Sequence, residues 1–320
     1  MKRTAISLFA GLSFSVCSAL ASAQMLSFAS PPQGSVWNTM STSIANVARS
    51  KQNLNVVVQP FSGNRAMMDA VDRGFAEFAI NDVNDVIVAA RGQADYTDRA
   101  RSNLRVVLRI SPQPIGIFVR KDSGIDSISD LAGKRVAAGW NAFPLGRSHM
   151  SAMLATGGLT WDDVEQVPVP DLIRAADNLA SGRLDATFFA VGGPKVAEVN
   201  ASVGGVKFLP VATDEKSLVA MSAIRPAFYF SVVKPAPHRA GLESPMEMVT
   251  WDNVLVAGAD VSEEKVYQLV TAILENKDEL VKLFPGFREL AVEEPYKVYP
   301  DLEYHPGASR YFKEKGLLEE

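Results

Sequence analysis

LNVVVQPFSGNRAMMDAVDRGFAEFAIND, residues 54–82, decides the fold class. The run 54–60 reads as a strand, dense in β-branched side chains. Ser62-Gly63 then opens a helix over 64–73, which stops at Gly74, a C-terminal signal. A second strand follows over 76–81. Strand, crossover helix, strand is the unit of an α/β sheet. The same alternation extends in both directions. Strands are expected at 104–110, 115–120, 134–139, 184–190, 206–211 and 250–258, and their Val, Ile and Phe content suits burial on both faces. Helices are expected at 36–50 behind a Ser35 cap, at 145–156 before Gly157-Gly158, and at 173–180 before Gly182. Another is expected at 262–276, where Ser262 is placed to cap and Glu263 and Glu264 favour the first turn. No repeat or low-complexity linker interrupts the pattern.

The chain has 320 residues, 47% of them apolar and 21% charged, which suits two lobes better than one core. With 32 Lys+Arg against 36 Asp+Glu, no basic surface points to nucleic acid. One cysteine and three histidines exclude a disulfide framework and leave little for a metal centre. Motifs for zinc hydrolysis, phosphate loops, nucleophile elbows and dinucleotide binding are absent from the sequence. His238 and His305 stand beside prolines in expected surface loops. His149 follows Ser148 directly, so the two point apart on a helix. Catalysis is not expected, and no cofactor is implied.

The first 23 residues read as a secretory signal peptide: Lys2 and Arg3, an apolar stretch to Leu20, and the cleavage pattern Ala21-Ser22-Ala23. The apolar run is Ser-broken and below the ~20 residues of a membrane span. Val16 is too bulky before Cys17 for lipidation. Cleavage takes two bases, the cysteine and no acid, for a net charge of −6. Export to the periplasm is the expectation.

Several segments together resemble the TAXI family of TRAP-transporter solute receptors. They are GSVWNTMSTSIANV from Gly34, FSGNRAMMDAVDRGFAEFAINDVND from Phe61, IGIFVRKDSGIDSISDLAGKRVAAG from Ile115, MLATGGLTWDDV from Met153, LASGRLDATFFAVGGPKVAEV from Leu179, WDNVLVAGADVSEEKVYQLVTAILENKDEL from Trp251, and YHPGASRYFKEKG from Tyr304. The resemblance runs from about residue 25 to 317. It departs from the family pattern at Trp37-Asn38, where two tyrosines are usual, and at GWNAFPLGRS, 139–148. It implies a type II-like, two-lobed α/β periplasmic binding protein, each lobe a mixed sheet flanked by helices, with a ligand cleft between them. Residues 24–119 and 245–320 would form lobe I and 120–244 lobe II. It further implies a monomer that binds a small organic anion, a dicarboxylate or glutamate-like amino acid, and delivers it to the membrane subunits of a TRAP transporter for ion-gradient-driven uptake. The alternatives are a ligand-presenting protein for a periplasmic sensor, or an enzyme built on the same fold.

The residues supply their own candidates. SPPQGSVW (30–37), PFSGN (60–64) and the loop 139–147 each run from a strand to a helix N-terminus, where unpaired N–H groups favour an anion. These loops nominate Gly34, Ser35, Trp37, Asn38, Ser62, Gly63 and Asn64 as ligand contacts. INDVND (80–85) lacks the Gly and Glu of a calcium loop. It reads as a strand end and polar loop, nominating Asn81, Asp82 and Asn84; Asp82 suits an amino or hydroxyl group and repels a carboxylate. Trp140, Asn141 and Phe143 either wall a pocket or pack against the neighbouring lobe. Arg147 stands in a first helical turn, against the dipole, as a bidentate carboxylate partner would explain; Arg109 and Arg120 compete for that role. Phe189 and Tyr229 face either the cleft or the core.

Overall fold

In a computed structural model the described residues are 25–33, 35–140, 143 and 145–318. The leader 1–23, Gly34 and Asn141 lie outside them. Alternating strands and helices open the chain: β1 (Leu26–Ser30), α1 (Val36–Gln52), β2 (Val56–Pro60), α2 (Asn64–Asp72), β3 (Phe78–Asp82) and α3 (Val83–Arg91). The long β4 (Leu104–Arg120) follows, then β5 (Arg135–Gly139), α4 (Leu145–Thr156), β6 (Glu165–Val169) and α5 (Leu172–Ala180). Next come β7 (Thr187–Ala190), α6 (Pro194–Ser202), β8 (Val206–Phe208), α7 (Glu215–Ile224) and β9 (Tyr229–Val233). A second long strand, β10 (Met246–Gly258), leads to α8 (Glu263–Leu274), α9 (Lys277–Leu283) and α10 (Pro306–Glu314). Among the described residues no helix is long and apolar enough to cross a membrane.

One sheet runs β2-β1-β3-β10-β4-β7, with β8 also paired to β4 and β9 to β10, while β5 and β6 form a separate parallel pair. β1, β2 and β3 are mutually parallel, and β10 meets β3 and β4 antiparallel. Strand alternation divides the first half's core. Phe28 and Phe78 face a cluster with Ile44, Leu269 and Phe312, whereas Ala29 and Ala79 face Met67, Val71 and Val86. β1 and β3 are buried on both faces as expected, whereas β2, the Val-rich run 56–60, is an edge strand and only half-buried. A separate core gathers Phe118, Trp140, Met150, Phe188 and Phe208 from the middle of the chain.

β4 and β10 join these cores. Val107, Leu108 and Ile110 belong to the first, Ile115, Ile117 and Phe118 to the other; in β10, Val249 and Trp251 pack in the second and Val254 and Leu255 in the first. The sequence divides β4 into strands 104–110 and 115–120, but it continues through Pro112 and Pro114. Those prolines fall where β4 exchanges partners, beside a register shift at Asn253/Val254, and bulges and exposed edges are where a sheet tolerates a missing N–H.

Two expectations are corrected. The stretch after Asp82 is the helix α3, not a polar loop: the Asp82 side chain accepts from the Asn84 N–H as its N-cap, and Val83, Val86 and Ile87 are buried. His305 is buried rather than in a surface loop, its Nδ1 accepting from the Gly307 N–H to cap α10. Ser262 occupies the N-cap position of α8 but makes no side-chain cap bond.

Gly307 is fixed by contact. A Cβ there would lie 2.2 Å from the backbone oxygen of Glu263, at the start of α8, and backbone cannot swing aside. Gly307→Ala is expected to cost about 1–3 kcal/mol in urea denaturation by forcing α10 off α8. A loss within ~0.5 kcal/mol, the range of neutral surface changes, would refute that packing.

Candidate functional site

A cavity of ≈ 750 Å³ lies beside the crossing strands, with walls from both halves of the chain. From the first half come the turn into α1 and its first residues (Pro31, Pro32, Ser35, Val36, Trp37), the start of α2 (Ser62, Gly63, Asn64, Arg65), and Asp82, Asp85, Asp95 and Tyr96. From the second come Phe143, Leu145, His149, Leu172, Phe188, Phe189 and Ala190. The crossings supply Gln113, Ile115, Trp251 and Asn253. The strand-to-helix turns therefore converge at strand C-terminal ends, where open α/β sheets bind ligands.

The two helix starts differ. Ser35 caps α1, its Oγ accepting from the Asn38 N–H at 3.0 Å. Gly63, with φ +100°, precedes α2 without any side-chain cap, so the first turn of α2 presents its N–H groups uncapped. Arg65 in that turn pairs with Asp98 at 3.0 Å and donates to the Asp95 carbonyl.

Behind the cavity runs a buried polar network. Asn64 Nδ2 donates to Asn81 Oδ1 (3.0 Å), and Asn81 Nδ2 donates to Asp85 Oδ2 (2.9 Å). Tyr96 Oη donates to the same oxygen at 2.9 Å. Asp82 Oδ2 receives Arg225 Nη2 at 2.6 Å, and His149 Nε2 lies 3.3 Å from it. Asp82 Oδ1 receives both the backbone N–H and Nδ2 of Asn84, whose own Oδ1 accepts from the Ala227 N–H at 2.7 Å. Asp82 and Asn84 come from the first half of the chain, Arg225 and Ala227 from the second, so the network bridges them.

Charge follows from this wiring. Burial would raise the Asp82 pKa, but Arg225, His149 and Asn84 together hold it down to about 2. Asp85 goes the other way: burial, with Asp82 nearby, pushes it up to about 6 against the pull of Arg225, Tyr96 and Asn81. His149 is pushed below its ordinary value by burial and by Arg225, with Asp82 opposing. Its ring sits among Phe143, Phe188, Phe228 and Trp251, whose centroids lie 4.7 to 6.0 Å away.

Of the sequence candidates, the cavity brings together Ser35, Trp37, Ser62, Gly63, Asn64, Asp82, Phe143 and Phe189. Trp37 is anchored by its indole N–H, which donates to Asn253 Oδ1 at 3.0 Å. Asn38 turns back to Ser30 and the Pro31 carbonyl. Asn81 and Asn84 stand behind the wall in the network. Trp140 is fully buried against Phe188, at 5.2 Å between rings. Arg147 lies over the Trp161 ring at 4.5 Å and donates to Gln166, away from the cavity. The competing arginines are engaged elsewhere, Arg109 with Asp252 and Arg120 with Asp122. Tyr229 donates to Asp252 Oδ1 at 2.8 Å instead of facing the cleft.

Asp85, Tyr96, His149, Trp251 and Asn253 line the cavity but are not among the ligand contacts that the sequence nominates. Asp85 stands one helical turn from Asp82, a signal that recognising α3 would have exposed. The others arrive through long-range contacts. Groups of three or more side chains suited to a metal are absent among the described residues.

The chain belongs to the NMT1-like family, whose model matches residues 28–316. Among solved structures it is similar to a TctC solute binding protein from Polaromonas, with TM-score 0.56 and 15% identity over 83% of this chain and 88% of that one. It is also similar to a putative periplasmic sulfonate-binding protein SsuA from Methylobacillus flagellatus, with TM-score 0.52 and 18% identity over 90% of this chain and 76% of that one. The fold is accordingly that of the two-lobed periplasmic solute-binding proteins, a mixed sheet flanked by helices.

Proposed function

We propose that this NMT1-like family member is a periplasmic receptor that binds a small organic anion, a dicarboxylate or glutamate-like amino acid, between its lobes. It hands that ligand to the membrane subunits of a TRAP transporter for ion-gradient-driven uptake. The first lobe comprises the two ends of the chain and the second its middle. The observation that carries the reading is the uncapped start of α2, which opens with Ser62 and Gly63 into a ≈ 750 Å³ cavity walled from both halves of the chain. Uncapped N–H groups and the positive end of the helix favour a carboxylate. Phe143, Phe188, Phe189 and Trp251 offer apolar contact to the rest of the molecule.

This reading assigns the anion to α2 alone. The α1 N-terminus is capped by Ser35, Arg147 is turned away, and Arg225 is committed to Asp82. Closure is a hinge motion of the crossing strands β4 and β10, and the ligand drives it only by binding the closed form more tightly. Native mass spectrometry of the purified protein, followed by denaturing release, is expected to recover an intact small acid. An empty protein that no carboxylate, amino acid or aromatic acid protects against thermal unfolding would refute the acid ligand.

A further inference from the structure

Asp85 is 2% exposed and lines the cavity. Both of its donors, Asn81 Nδ2 and Tyr96 Oη, reach Oδ2 at 2.9 Å. Among the described residues none donates to Oδ1. Asp82 is different: it has the Arg225 guanidinium on one oxygen and Asn84 on the other. Of the two buried carboxylates that line the cavity, Asp82 is therefore matched on both oxygens and Asp85 on one. An unmatched buried carboxylate is costly unless a cation or donor completes it.

The remaining charges leave that place to the ligand. Arg65 is engaged with Asp98 and the Asp95 carbonyl, and Asp95 adds a further acid to the lining. A second ligand carboxylate would add to this negative charge in a confined space. A protonated nitrogen would offset it. The distance also suits one small molecule: Asn64, in the first turn of α2, reaches Asp85 through Asn81 alone.

From this geometry we infer that Asp85 determines specificity by receiving a protonated nitrogen of the ligand, selecting amino-bearing acids over dicarboxylates. The inference rests on the cavity being an acid-binding receptor site, as proposed above. Burial pushes the Asp85 carboxyl up to about 6, consistent with a carboxylate still lacking a partner. Asp85→Asn keeps an acceptor for Asn81 and Tyr96 while removing the charge, so the variant is expected to fold, with thermal unfolding as the control.

The test is calorimetry at neutral pH on wild type and Asp85→Asn with two matched pairs: L-glutamate against glutarate, and L-phenylalanine against 3-phenylpropionate. At least one amino member is expected to bind wild type about ten- to hundredfold more tightly than its deaminated partner, the scale of one charge-assisted bond. The variant is expected to lose that preference. Deaminated acids binding as tightly as their partners, or a preference that survives in a folded Asp85→Asn, would overturn the assignment and leave the acid receptor standing. Binding by no member of either pair, nor by any acid of the thermal-unfolding panel above, would overturn both.

Discussion

Replacing Arg225 with methionine is expected to destabilise the protein by about 3–5 kcal/mol, the usual cost of stripping one partner from a buried ion pair. Asp82 is 1% exposed, and with the guanidinium gone it must either stay charged without a countercharge or take up a proton, each at a cost. Asn84 would still satisfy Oδ1, but Oδ2 would retain only the His149 contact at 3.3 Å. Methionine roughly preserves the apolar stem that packs near Phe228, so the loss reads charge more than volume. One term works against it: Arg225 Nε is itself buried without a partner, and its removal recovers part of the loss. The countercharge prevails, because an uncompensated buried carboxylate costs more than one unpaired N–H.

Adding Asp82→Asn to Arg225→Met should restore most of the stability, since asparagine still caps α3; the double-mutant cycle isolates the pair. The pH dependence supplies the sign. Arg225 and its neighbours depress the Asp82 pKa to about 2, so its stabilisation is present above the ordinary carboxylate value and vanishes as pH falls from ~4 through ~2. Wild type should lose about 2–3 kcal/mol across that window through this group, and the double variant should not. Chemical denaturation at pH 7 and below checks both. A loss under ~1 kcal/mol for Arg225→Met would mean that water reaches Asp82 and that the bridge between the two halves of the chain is weak.

The same pair shows where sequence reading stops. Helices α1, α2 and α4 are legible because their signals are local: Ser35 supplies a cap, Gly63 and Gly74 bracket α2, and apolar residues recur at helical spacing. Strand β2 is legible for the same reason. The cavity's first wall follows, because strand-to-helix turns lie where α/β sheets bind. Its second wall does not. Arg225 meets Asp82 across 143 positions, and Asn253 meets Trp37 across 216. No periodicity carries such pairings. Arg147 is the instructive case: a cation in a first helical turn needs a reason, but the reason is Trp161 beneath it and not a ligand carboxylate. Helix α3 escaped because Asn and Asp at a strand end read equally as a loop or as a cap. The apolar runs 104–110 and 115–120 read as two strands, but they are one, because Pro112 and Pro114 fall where β4 changes partners.

A second large effect is expected at Asp252, a wholly buried carboxylate between the cavity residues Trp251 and Asn253 on the crossing strand β10. Its Oδ1 accepts from Arg109 Nε and Tyr229 Oη, both at 2.8 Å. Its Oδ2 accepts from Lys297 Nζ at 2.8 Å and Tyr299 Oη at 2.9 Å. Burial alone would raise the Asp252 pKa, but Lys297 and Arg109 hold it below the ordinary range. The carboxylate therefore ties β4, β9 and the segment before α10 to one point of the crossing. Asp252→Ala removes the acceptor from all of these donors at once. Lys297 is 38% exposed and can turn to water, so its share is small. Arg109, only 13% exposed, and the buried Tyr299 hydroxyl cannot do so cheaply. The expected loss is about 3–5 kcal/mol by urea denaturation at pH 7. Asp252→Asn keeps the shape and one acceptor oxygen but not the charge, so it should fall between wild type and alanine. Should alanine cost less than ~1 kcal/mol, the donors have other partners and the crossing is not pinned here. If asparagine instead matches wild type, the tyrosine hydroxyls outweigh the cations. In that event the stability of the crossing should also persist as pH falls below ~4, whereas a charge-held Asp252 loses its contribution there.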